Sequence, residues 1–210
     1  MLAIKITDSS AYISEADYLA GEQRTKIRHE YVDGKVYAMA GTSLRHNDIA
    51  MNIAFALRLA ARGTPCRVNV SDVKVRADKS KAYYYPDVML GCERDESSKH
   101  YLEKPCVIIE VTSPSTEWKD HHQKVVAYQK IDSLQAYLIV AQDRIQVTAY
   151  YRDADGAWDV ALYDQATQTI PMPCATEVLN VADIYEGIDD LMQPTIPDAE
   201  TPSDDDTFAL

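Results

Sequence analysis

The chain has 210 residues, with 46% hydrophobic and 26% charged residues, which is globular composition and excludes collagen-like and intrinsically disordered classes. Its net charge of −12 is unevenly placed: up to Arg152 there are 21 Lys/Arg and 19 Asp/Glu, and beyond it 14 Asp/Glu with no Lys or Arg. A nearly neutral body is thus followed by an acidic last quarter, which argues against promiscuous binding to polyanions through the whole surface.

The longest unbroken apolar run, Ala136 to Ala141, is far too short to span a membrane, and the first residues show no charged segment followed by an apolar one. A cytoplasmic protein with no membrane partner is expected. Cys66, Cys92, Cys106 and Cys174 are scattered, with no C-x-x-C pair. They are expected to be small buried hydrophobes in a reducing compartment, rather than a disulfide framework or a zinc site.

In chain order, Ser14 caps a short helix running to about Ala20, with Asp17 at the capping-box position. Asp33-Gly34 between Glu30-Tyr31-Val32 and Lys35-Val36-Tyr37 predicts a hairpin. Ile49, Ile53, Ala56, Leu57 and Ala60 set the face of a long helix over 43–62, stopped by Gly63 and Pro65. Cys66 to Val75 alternates with a slip at Ser71-Asp72, as a strand pair or a bulged strand would. Pro86 to Gly91 is a short strand, and the polar residues from Glu93 to Lys104 read as loop. Pro105 to Val111 is nearly continuously apolar, as a central strand is.

After the turn Ser113-Pro114-Ser115-Thr116 come a helix over 117–131 and a buried strand from Ala136 to Val140. A second hairpin is centred on Asp155-Gly156, and a short helix lies near Val181 to Tyr185. This order fits a mixed sheet flanked by helices. Residues 1–192 are expected to form a single domain, and 193–210, with three prolines and five acids, a disordered acidic tail.

Two acids sit in apolar strands. Asp87 opens Val88-Met89-Leu90, and Glu110 interrupts Val107-Ile108-Ile109-Val111. An unpaired carboxylate in a buried strand costs several kcal/mol. Two on neighbouring strands make a hard oxygen site for Mg²⁺ or Mn²⁺, with Glu30 as a third candidate ligand. The alternative for Glu110 is a buried ion pair with an Arg or Lys. His46 could bind phosphate or polarise water, or could serve as a capping or packing residue. Ser113 and Ser115 lack a nucleophile-elbow motif, and His121-His122 point apart on a helix. Among the 14 tyrosines, Tyr83-Tyr84-Tyr85 are the ones placed to line a site.

The stretch from Glu30 to Ala40 with His46, Tyr85-Pro86-Asp87-Val88, Ile109 to Thr116, and the spacing Asp120, Lys124, Tyr128 together resemble the Uma-type endonuclease family of the PD-(D/E)XK superfamily. The resemblance is strong over about residues 12–152. It implies an α/β, restriction-endonuclease-like mixed sheet flanked by helices, here with an added β-hairpin region. It also implies a Mg²⁺- or Mn²⁺-dependent endonuclease cutting DNA as a homodimer, with Asp87, Glu110 and Glu30 as metal ligands. The superfamily's lysine would fall where this chain has Thr112, and Lys124 is its natural substitute as a catalytic residue. On that reading Lys124→Ala is expected to leave folding nearly intact. A catalytically silent module that keeps the fold for binding protein or nucleic acid is the rival reading.

Overall fold

A computed structural model describes residues 12–39, 41–77, 81–93, 99–112, 119–175 and 178–192. The first helix, α1 (Glu15–Glu22), starts where the Ser14 hydroxyl accepts the Asp17 N–H at 3.1 Å. The hairpin β1 (His29–Val32) and β2 (Lys35–Ala38) turns through Asp33 and Gly34, both at positive φ. A Cβ on Gly34 would stand 2.1 Å from the Tyr12 ring, so a side chain there would displace that ring as well as strain the backbone. Helix α2 (Leu44–Ala60) is capped by Ser43 and buries the predicted Ile49, Ile53, Leu57 and Ala60.

The alternating stretch after α2 is two strands in different sheets. β3 (Arg67–Val70) ends at Ser71, whose φ of 30° swings the chain into β4 (Lys74–Ala77). From β5 (Ala82–Tyr84) the chain crosses back through Tyr85-Pro86-Asp87 into β6 (Val88–Gly91). Strand β7 (Tyr101–Leu102) lies in the stretch expected to be loop. It is followed by β8 (Val107–Thr112), helix α3 (Lys119–Gln129) and β9 (Ala136–Ala141). The second hairpin is β10 (Val147–Arg152) and β11 (Trp158–Tyr163). The chain continues through β12 (Thr169–Ile170), β13 (Leu179–Asn180), α4 (Val181–Ile184) and α5 (Asp189–Met192).

The two large sheets have orders β2-β1-β5-β4-β7 and β11-β10-β9-β8-β6-β3, the second mixed because β8 and β9 run parallel through the α3 crossover. Alternate residues of β8 feed opposite cores. Val107, Ile109 and Val111 face α2 and α4. Ile108 packs with Val75 and Tyr84 of the first sheet and with Tyr128 and Ile131 beside α3. The first sheet therefore lies across the face of the second that also carries α3. Its other face meets α1 through Tyr18, Tyr31 and Tyr83. Arg152 anchors the end of α3 by donating to the carbonyls of Gln129, Ile131 and Leu134 at 2.8 to 2.9 Å.

The expectation for the cysteines is overturned: Cys66 is bonded to Cys92 and Cys106 to Cys174. Linear spacing hides this because the strand order β8-β6-β3 brings three of the four to one end of a sheet. The turn at 113–116 and the tail at 193–210 lie outside the described residues. Among the described residues, no helix is long and apolar enough to cross a membrane.

Candidate functional site

The site is built where the chain passes from one sheet to the other. The antiparallel ladder pairs Val88 with Ile109. Continued by one residue, it sets Asp87 opposite Glu110, two like charges facing across adjacent strands. Asp87 Oδ2 accepts the Val111 N–H at 2.8 Å, which fixes its carboxylate beside β8. His46, in the first turn of α2, approaches the same oxygen with Nε2 at 3.2 Å. Burial alone would pull the His46 imidazole down. The hydrogen bond and charge of Asp87, with a contribution from the Val111 backbone, outweigh it and hold His46 above its ordinary pKa.

Even-numbered residues of β8 face α3, so Glu110 projects toward that helix. Lys124 and Tyr128, one turn apart on α3, both reach Glu110 Oε1: the Lys124 ammonium at 3.0 Å and the Tyr128 hydroxyl at 2.8 Å. The same ammonium lies 2.9 Å from Glu30 Oε1 on β1 of the other sheet, and 5.4 Å from the centre of the Tyr84 ring. Lys124 is thus a strut between two carboxylates carried by two sheets. Its side chain is only 14% exposed.

Burial pushes the Glu110 carboxyl up, the Lys124 charge opposes this, and the neighbouring Asp87 and Glu30 charges add to it, leaving the group at about 7. For Lys124, burial works against the charged form, and Glu110 and Glu30 more than compensate, so its ammonium is held well above the ordinary range.

The structure brings together all five singled-out residues: Asp87, Glu110, Glu30, Lys124 and His46. It shows both readings of Glu110 at once, a carboxylate opposite another carboxylate and a buried ion pair with a lysine. Thr112 does not supply a cation; it is buried, and its hydroxyl donates to the Val140 carbonyl at 3.4 Å. Of the three consecutive tyrosines, only Tyr84 borders the site. Tyr83 hydrogen-bonds to Glu15, and the Tyr85 hydroxyl donates to Glu22 at 2.6 Å. The Asp120, His121 and His122 side chains lie outside the described ones. In the sequence Tyr128 stands out only as part of a spacing, and its four-residue offset from Lys124 is the signal that it shares the site. The Val111 N–H had no signal in the sequence.

For a divalent cation, Asp87 Oδ1 and Glu110 Oε2 accept no hydrogen bond among the described residues. Two such oxygens from facing strands suit a hard cation by donor chemistry. As the side chains stand, no group of three or more His, Cys, Asp or Glu among the described residues is arranged to hold a metal ion. Lys124 holds the third acid.

The crystal structure titled "a putative nuclease belonging to DUF820", from Anabaena variabilis, superposes with a TM-score of 0.68 at 17% identity, covering 82% of this chain and 97% of that one. The fold is therefore restriction-endonuclease-like, a mixed sheet flanked by helices with additional strands. Two proteins of Synechocystis sp. are also similar. Uncharacterized protein slr1290 is 33% identical over 84% of this chain and 93% of its own length, and uncharacterized protein sll1609 is 30% identical over 73% and 88%. The Uma2 family model, described as "Putative restriction endonuclease", matches residues 15–182, which include every residue of the acid–lysine site, and the chain belongs to that family.

Proposed function

We propose that this is a nuclease-fold protein whose Asp87–Glu110–Lys124 site is directed at the phosphodiester backbone of DNA, silent in the ion-paired form and hydrolytic when Mg²⁺ or Mn²⁺ engages the acids. The observation that carries the proposal is the convergence of two facing strand carboxylates and one buried lysine ammonium from the next helix. A phosphodiester in hydrolysis gains negative charge on its phosphoryl oxygens, and a cation positioned beside them stabilises that charge. A bound divalent ion would supply Lewis-acid stabilisation and a water of lowered pKa.

In this chain, Asp87 and Glu110 would hold the ion, with Glu30 contributing a third oxygen. The Val111 N–H keeps Asp87 aimed, Tyr128 keeps Glu110 aimed, and Lys124 supplies the ammonium that Thr112 cannot. His46, with its raised pKa, is placed to carry a proton beside Asp87 Oδ2.

A second reading, a permanently silent module that binds protein or nucleic acid, has a specific observation in its favour. Lys124 neutralises Glu30 and Glu110 together, and one oxygen of Asp87, Oδ2, is committed to both His46 and Val111. Taken as they stand, these side chains back the silent module better than the hydrolase. The hydrolase reading requires Lys124 to give up one of its two acids.

Supercoiled plasmid, branched DNA and RNA incubated with and without Mn²⁺ separate the two. Nicked or linear plasmid that depends on Mn²⁺, and is lost in Asp87→Asn, supports the hydrolase. Intact plasmid at every Mn²⁺ concentration supports the silent module. A homodimer belongs to the same proposal, with the exposed Val160 and Leu162 of the edge strand β11 as a candidate contact. Sedimentation at micromolar concentration tests it against a 23.6 kDa monomer.

A further inference from the structure

The four cysteines lie at the opposite end of β6 from the acids. Asp87 and Cys92 are five residue steps apart, about 17 Å of extended strand. The pairing of Arg67 with Gly91, continued by one residue, sets Cys66 opposite Cys92. The Cys106 N–H donates to the Leu90 carbonyl at 2.7 Å, seating Cys106 at the same end of the neighbouring strand. Cys174, in the loop after β12, closes over them. Its carbonyl oxygen is 3.3 Å from Cys66 Sγ and 3.6 Å from Cys92 Sγ, and its own sulfur is bonded to Cys106.

Two of the sulfurs therefore contact the Cys174 carbonyl, Cys106 Sγ lies 3.8 Å from the preceding carbonyl of Pro173, and the Cys174 sulfur is joined to Cys106, which gathers all four at one turn of the chain. Cys174 adopts a φ of 66°, a left-handed conformation that a side-chain-bearing residue takes at some cost. A cavity of about 580 Å³ opens on the cluster, lined by Cys92, Cys106 and Cys174 with Lys104, Glu93 and Asp132. It offers entry for a small thiol or an ion.

We propose that these four cysteines, when reduced, hold one Zn²⁺ ion as a tetrathiolate structural site. Four thiolates from three strand ends and one loop form a soft set of the number that zinc takes in closed structural sites. As disulfides the sulfurs have no anionic lone pair to give. Reduction by a thiol such as glutathione converts each disulfide and two RSH into two Cys–SH and RSSR. The four Cys–SH groups then lose their protons as Zn²⁺ binds. The bonded pairs must open from about 2 Å to about 3.8 Å for a tetrahedral site with Zn–S near 2.3 Å.

The ion would pin the loop bearing Cys174, and with it the β12–β13 hairpin and α4, against the end of the sheet. The segment that follows α4 is already tied to α2, because Asn52 donates to the carbonyls of Ile184 and Glu186 at 3.1 and 2.9 Å. The site would thereby brace the helix that carries His46.

The test uses the full chain, reduced anaerobically with dithiothreitol in metal-free buffer and titrated with Co²⁺ and then Zn²⁺. The expected result is sulfur-to-cobalt charge-transfer absorption that saturates at one Co²⁺ per chain, with the intense visible bands of tetrahedral cobalt, and is bleached by Zn²⁺. Four thiols should react with a chromogenic disulfide before metal is added and be protected afterwards. Charge transfer distinguishes this site from the acids, which would bind cobalt through oxygen, and it should persist in Asp87→Asn.

Several outcomes would overturn the proposal: disulfides that resist dithiothreitol in the folded protein, an absence of saturable charge transfer, or charge transfer that saturates at other than one Co²⁺ per chain. So would an unchanged spectrum in the double variant Cys106→Ser/Cys174→Ser. The thiol-protection count is made on the wild-type chain, so the test does not depend on that variant folding.

Discussion

Asp87 faces Glu110 across the β6–β8 pair, one residue beyond the last ladder pair of Val88 with Ile109. The two carboxylates are forced together by strand register, and their repulsion is part of what raises Glu110. A divalent ion that binds the pair should relieve that repulsion and stabilise the fold by linkage, about 2.7 kcal/mol at a hundred times Kd. Thermal melts with increasing Mn²⁺ should show the rise in wild type and its loss in Asp87→Asn. A wild-type melting curve unmoved by millimolar Mn²⁺ counts against metal binding here.

Lys124 corrects an expectation. Its ammonium lies 2.9 Å from Glu30 and 3.0 Å from Glu110 in a largely buried position, so Lys124→Ala leaves two acids facing each other without a cation. Breaking a buried pair in this way costs about 3–5 kcal/mol, which denaturant titration would read. Under the hydrolase reading, cleavage should also fall about 10²-fold, the usual loss of one transition-state charge contact. Mn²⁺ should restore part of the lost stability, since it can take over the neutralisation of the acids.

The raised Glu110 carboxyl makes the stability of the metal-free protein depend on pH. The folded state keeps its proton to about 7, whereas the unfolded group releases it near 4.5. The stabilisation is fully present below about 4.5 and is lost as pH rises through about 7. His46, also raised, works in the same direction. Melting temperature in chelator should therefore fall across this window, and Glu110→Gln should flatten the fall. A slope unchanged in Glu110→Gln would assign it to other groups.

Tyr128 donates to the charged form of Glu110 and so restrains its rise. Tyr128→Phe should shift the Glu110 midpoint upward, with a stability loss of about 1 kcal/mol where the acid is ionised. Because Tyr128 is fully buried against Tyr84 and Tyr137, phenylalanine keeps the ring packing, and the shift reports the hydroxyl alone.

Arg152 closes the end of α3 with three carbonyl contacts and stacks its guanidinium 4.7 Å from the centre of the Trp158 ring. Arg152→Ala should cost about 1–3 kcal/mol through the orphaned carbonyls. It should also increase hydrogen exchange at the end of the helix that carries Lys124 and Tyr128. Exchange there at the wild-type rate would show that packing alone holds the helix end.

Local patterns made most elements legible. Ser14 and Ser43 cap the predicted helices, Asp33-Gly34 and Asp155-Gly156 turn the predicted hairpins, and Val107 to Val111 has the apolar run of a doubly buried strand. That Asp87, Glu110, Glu30, Lys124 and His46 merit attention is legible from acids misplaced in apolar strands and from the motifs of the family resemblance, and the structure brings the five together. Partnership was not legible. That Val70 and Lys74 belong to different sheets depends on the φ of Ser71, which no residue type dictates. The meeting of Cys66, Cys92 and Cys106 depends on long-range strand order. For the same reason, the pairing of Lys124 with Glu30 could not be read from α3 alone.

Glu110 and Asp87 belong to one sheet, joined by ladder bonds, whereas Glu30 belongs to the other and meets them only across a packed interface. The distance between Asp87 and Glu110 is therefore set by covalent and hydrogen-bonded geometry, while the distance from Glu30 to either can change with a small slide of one sheet over the other. The Lys124 strut measures that slide. A ligand entering between the sheets would loosen the Glu30 contact first and leave the facing pair intact, so the site has one stiff jaw and one compliant jaw.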